Sequence, residues 1–164
     1  MKMSACRPPI LLDESMCAGR HVRDTVAMMR KSRKRVLEAT GFVPTKDLSG
    51  IERIVVESGI DGPSIDGPEL IVPPDVAAGD LLRMFGSRVY DGLSGSESKQ
   101  WSSLFQRDLN SGKRVMLAAE PSEKFAEMYT IFHMQPKKLR DESMPAYSFF
   151  EKLYGKHMDQ MWGV

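Results

Sequence analysis

Asp13 and Glu14 stand side by side directly after the apolar run Ile10-Leu11-Leu12, and Gly19 follows five residues later. Two adjacent carboxylates at a strand end can hold the hydroxyls of a ribose or the water shell of a magnesium ion. Gly19 is free to take a positive φ or to let a ligand approach the backbone closely. The pattern after it is helical. A helix start offers unpaired N–H groups and the positive end of a dipole, which suits a phosphate. The spacing therefore permits a phosphate on the loop amides with acids beside it. Cys17, next to that helix start, is a reactive-thiol candidate for which the sequence nominates no base.

The elements that must position these residues come next. Pro8 and Pro9 hold the entry extended. The unbroken run Ile10 to Leu12 is expected for a strand covered on both faces. Asp13 and Glu14 would then lie at the carboxyl edge of a parallel sheet, where open α/β folds bind ligands. From His21 to about Arg33 the apolar positions Val22, Val26 and Met29 predict a helix. Val36 to Val43 reads as a second strand, which would close a right-handed βαβ unit.

The segment 10–24 resembles the phosphoribosyl-diphosphate loop of type I phosphoribosyltransferases, in which an apolar strand leads through two acids to a glycine and a helix. Asp13-Glu14-Ser15-Met16-Cys17-Ala18-Gly19 has the acids and the glycine at the family's spacing, and Gly19-Arg20-His21-Val22-Arg23-Asp24 is similar to its Gly-Arg-Thr-Met-Arg-Glu helix entry. Ala18 and His21 replace hydroxyl residues of that pattern, so the resemblance is to a truncated or degenerate member. It implies that Asp13 and Glu14 hold the ribose hydroxyls, and magnesium indirectly. It further implies that the amides of Cys17, Ala18, Gly19, Arg20 and His21 hold a 5′-phosphate. The ligand would be a phosphorylated ribose or a nucleotide. Any catalysis would be phosphoribosyl transfer, with Mg2+ at the leaving pyrophosphate.

The rest of the chain supplies the context. At 164 residues it is long enough for one α/β domain with a sizeable core. A net charge of +1 selects no partner, and no apolar run approaches membrane-spanning length. Without an export signal in the sequence, the expected compartment is cytoplasmic, or intracellular for a viral component. There is no Walker loop, dinucleotide fingerprint or metal-ligand spacing. The tandem Asp-Gly-Pro of residues 61–68 reads as a stiff surface turn.

Further elements follow the same logic. Strands are expected at Ile51 to Glu57, Glu69 to Val72, Ser87 to Tyr90 and Lys113 to Glu120. A helix from Pro74 should stop at Gly86. Asp91 to Ser98 reads as a polar loop before a helix carrying Trp101, Leu104, Phe105 and Leu109. Pro121 suits a first helical position. Phe125, Met128, Tyr129 and Phe132 then mark a buried helical face. Glu120, at a strand's carboxyl end, is a secondary site candidate. Asp141-Glu142-Ser143-Met144 repeats the earlier tetrapeptide with neither strand nor glycine around it.

Together these predict an α/β fold: a mostly parallel sheet, covered by helices, with strands near Leu11, Leu37, Val55 and Val115. Two alternatives to the phosphoribosyl reading come from other classes. The basic run Arg30, Lys31, Arg33, Lys34 and Arg35 could contact nucleic acid, or it could simply complement the negative end of its helix. Residues 145–164 read as a last helix whose Met and aromatic residues could serve a homo-oligomer or a partner protein, as in a non-catalytic binding or assembly protein of viral type.

Overall fold

The computed structural model describes residues 8–12, 22–110 and 120–155, and the chain divides into two compact units at Met84 and Phe85.

The first unit is built on four strands. In chain order they are β1 (Ile10–Leu12), β2 (Arg53–Val56), β3 (Ser64–Asp66) and β4 (Glu69–Val72), and their spatial order is β1-β2-β4-β3. β1, β2 and β4 run parallel, while β3 pairs antiparallel with β4. The sheet is therefore mixed. Helix α1 (Val22–Gly41) lies between β1 and β2 in the chain, so strand, helix and parallel neighbouring strand form a βαβ unit, closed by β2 and not by the stretch Val36 to Val43.

The sheet has one well-buried face. Ile54, Val56, Leu70 and Val72 alternate along β2 and β4 and are buried, as period-two strands require. The opposite row, Leu11, Val55 and Ile71 in register, is less covered, with Leu11 48% exposed. A strand covered on both faces at β1 is thus corrected: its middle residue reaches solvent. Arg53 and Glu69, opposite each other across β2 and β4, form an ion pair.

The expected strand at Val36 to Val43 is helix instead. α1 runs through it to Gly41, so Leu37 belongs to a helix and contributes no strand to the sheet. The buried residues are Ser32, Val36, Ala39, Thr40 and Val43, at steps of three and four, while Leu37 is exposed. β-Branched residues gave this stretch a strand-like composition, but its burial has the helical period. The Thr40 hydroxyl donates to the Val36 carbonyl at 2.8 Å, which satisfies it inside the buried face. Pro44 follows the helix end and cannot extend it.

The second Asp-Gly-Pro copy makes a hairpin rather than a plain surface turn. Asp66 pairs with Glu69, and Gly67-Pro68 is the two-residue turn between them. Gly67 sits at φ +56°, the left-handed value that a II′ hairpin needs at its first central residue.

Helix α2 (Ala78–Asp91) runs across the boundary between the units. It neither stops at Gly86 nor yields to a strand at Ser87 to Tyr90. In the second unit it is followed by α3 (Gly95–Asn110), α4 (Pro121–Met134), α5 (Pro136–Glu142) and α6 (Met144–Tyr154). The polar stretch before α3 is a capping box: Glu97 N–H donates to Ser94 Oγ at 3.2 Å, and Ser94 N–H donates to Glu97 Oε2 at 2.9 Å. Pro121 opens α4 as expected, and Phe125, Met128, Tyr129 and Phe132 are all buried. Asp141 to Met144 is the join of α5 to α6, where Ser143 Oγ caps α6 by accepting from Ala146 N–H.

Aromatic rings fill the middle of this unit. Trp101 of α3 meets Phe125 of α4 edge-on at 5.1 Å, and Phe149 and Phe150 of α6 at 5.2 and 5.6 Å. Such tilted contacts suit ring quadrupoles. The indole N–H of Trp101 donates to the Pro121 carbonyl at 2.9 Å, so its one polar atom is satisfied. The strand expected near Val115, with Met158, Met161 and Trp162, lies outside the described residues.

Candidate functional site

Asp13, Glu14, Cys17, Ala18, Gly19, Arg20 and His21 lie outside the described residues, but the elements on either side are described. β1 delivers the chain at Leu12, and α1 takes it up at Val22. Leu12 is in register with Val56, and Val56 with Val72, so these three residues mark the carboxyl edge of the three parallel strands. Glu57 follows Val56 on that edge and is anchored there by its N–H bond to the Val72 carbonyl at 2.9 Å. The sequence reading passed over Glu57. The signal for it was the same as for Asp13, an acid directly after an apolar strand.

The basic run Arg30, Lys31, Arg33, Lys34 and Arg35 is exposed at every position. Because α1 continues to Gly41, the run occupies mid-helix, and the last turn contains no basic residue. A dipole explanation for it is therefore removed, since that effect fades beyond the last turn. Lys34 approaches Glu38 at 3.9 Å on the open surface, where such pairs contribute little.

Glu120 is exposed, with extended backbone at the N-cap of α4 and no side-chain cap bond. Among the described residues no three His, Cys, Asp or Glu side chains cluster as a metal site would require.

The second unit carries a groove of about 490 Å³ between α3 and α6. α3 contributes Ser96, Lys99, Gln100, Ser103, Leu104 and Arg107, which form one stripe at steps of three and four. α6 contributes Pro145, Ser148, Phe149 and Lys152 with the same spacing. Trp101 and Phe105 point the other way, into the core, and this division sets the stripe outward. Among the described residues the lining thus offers three cations, three hydroxyls and an amide over a partly apolar floor, with no carboxylate. Sequence reasoning missed this groove, because about forty residues separate its two walls and neither wall alone has a motif.

Among the described residues no helix is long and apolar enough to cross a membrane. Compared with family models, curated proteins and solved structures, the chain matches none.

Proposed function

We propose that the protein recognises a phosphorylated ribose or a nucleotide through the loop of residues 13–21. One observation supports this above the others. The parallel strand β1 ends at Leu12 and helix α1 starts at Val22 within a βαβ unit, and the turn from such a strand to its helix is the setting where α/β folds bind phosphates. In this reading the amides of Cys17 to His21 hold the phosphate. Asp13 and Glu14 hold the ribose hydroxyls and, through these or through water, Mg2+. Titration of the chain with phosphoribosyl diphosphate and magnesium, followed by amide NMR, tests it. Saturable shifts at residues 13–21 that vanish in Asp13→Asn and Gly19→Val are expected. A folded spectrum with no shift at about millimolar ligand, a weakly binding range, overturns the reading.

A second reading, contact with nucleic acid through α1, is favoured by the exposed mid-helix position of Arg30 to Arg35. It predicts an affinity for duplex DNA that falls with salt at a logarithmic slope of about −0.9 per phosphate contact. Arg30→Gln combined with Lys34→Gln, one turn apart, should flatten the slope by roughly two such contacts. A salt-independent affinity would remove this reading.

A further inference from the structure

The geometry points to a second anion site: the α3–α6 groove binds a small ligand that carries two or more phosphate groups. Lys99, Arg107 and Lys152 supply the charge, and the hydroxyls of Ser103 and Ser148 supply neutral donors. This site shares no residue with the 13–21 loop and stands whichever way that loop behaves.

Charge balance is the first argument. The chain as a whole is nearly neutral, with 23 basic and 22 acidic residues, yet the described residues of this lining include three cations and no acid. Lys99, Arg107 and Lys152 make no ion pair among the described residues, and neither do Arg30, Arg35, Arg88 and Lys137; what sets the first three apart is that one groove collects them. Glu97 is the acid of α3 nearest to Lys99, and it is turned to the Ser94 N–H as the helix cap. Three cations lining one groove offer an anion several charged donors at once.

Length and chemistry narrow the ligand. Lys99 and Arg107 are eight residues apart on one helix face, which is about 12 Å along the axis. One phosphate reaches one end of that span, whereas a ligand with separated phosphates engages both. Arginine and lysine with serine hydroxyls form the usual donor set for phosphate oxygens. The floor residue Phe149 is buried with its ring against Trp101, so it presents no free face for a base to stack on. A nucleic-acid strand, which gains much of its affinity from such stacking, is therefore disfavoured against a compact polyphosphate. Leu104 and Pro145 leave apolar surface for the ligand's carbon skeleton.

The test is calorimetry and amide NMR on the full chain with sodium tripolyphosphate at low salt. Saturable binding is expected, with shifts confined to residues 96–107 and 145–152. Arg107→Gln and Lys152→Gln should each weaken it about tenfold, the usual order for a lost charge-assisted bond. Arg107→Lys should recover part of the loss. Lys137→Gln, an exposed cation on α5, should leave it unchanged. All three positions are on the surface, so thermal unfolding should confirm that the variants remain folded. Four outcomes overturn the proposal: no binding; orthophosphate or sulfate bound as tightly as tripolyphosphate; an equal loss in Lys137→Gln; or an oligothymidylate bound more tightly on the same residues. Tripolyphosphate shifts at residues 13–21 with none at 96–107 or 145–152 would mean that the groove does not bind, and would likewise overturn it.

Discussion

Trp101→Ala is expected to destabilise the second unit by about 3–5 kcal/mol, the usual range for deleting a large aromatic side chain from a packed core. The indole is fully buried and touches rings from two other helices, Phe125 of α4 and Phe149 and Phe150 of α6. Its removal leaves a cavity at the point where three helices meet. It also strips the Pro121 carbonyl of the 2.9 Å bond that fixes the first residue of α4. A domain's whole stability is only about 5–15 kcal/mol, so the loss is a large fraction of it. Trp101→Phe keeps a ring and loses the N–H, and should cost less. Urea unfolding followed by circular dichroism checks both variants. A cost below about 1 kcal/mol for Trp101→Ala would mean that the ring cluster is not this unit's core.

The same substitution bears on the groove. Phe149 is at once a groove residue and a neighbour of Trp101. The core thus sets the position of the floor, and through α3 and α6 it sets the separation of Arg107 from Lys152. Phosphate affinity should therefore fall in Trp101→Ala even at temperatures where the chain remains folded. That effect differs from Arg107→Gln, which removes a contact without moving the floor.

Periodicity was most legible where one pattern had no rival. Phe125, Met128, Tyr129 and Phe132 repeat at helical steps behind Pro121, and all are buried as that repeat demands. The apolar centres at Leu11, Val55 and Ile71 are strands. Val36 to Val43 failed because composition was set above spacing. The valines and Thr40 favour strands, yet their burial follows steps of three and four. Ser94 and Glu97 carried a legible capping box within a stretch that glycine and serine made look like a loop. The three cations of the groove were visible as residues, but their meeting was not, because it depends on α3 and α6 packing side by side. Residues 13–21, read from their pattern as a phosphate loop, lie between β1 and α1 and outside the described residues.

Gly86 shows the same limit most sharply, and it carries the second large prediction. Read from sequence, a glycine near a helix end is a stop signal. In the fold it lies inside α2, where a Cβ would come within 2.9 Å of the Ala126 backbone Cα and 3.2 Å of Tyr129 on α4. Propensity alone says that Gly86→Ala should stabilise the helix by up to about 1 kcal/mol. The contact reverses the sign. A backbone atom at 2.9 Å cannot rotate away, so α4 must shift from α2 and disturb the ring cluster packed behind it. Gly86→Ala should cost about 1–3 kcal/mol, as overpacking does, and Gly86→Val should cost more. Gly79, in the same helix, has no atom within 4 Å of its Cβ position. Gly79→Ala should therefore be neutral or slightly stabilising. Tyr129→Ala should not rescue Gly86→Ala, because the closest atom belongs to the Ala126 main chain. Urea midpoints of the four variants settle the matter. If Gly86→Ala raises the midpoint as Gly79→Ala does, helix propensity governs both sites and the close approach of α2 to α4 is wrong.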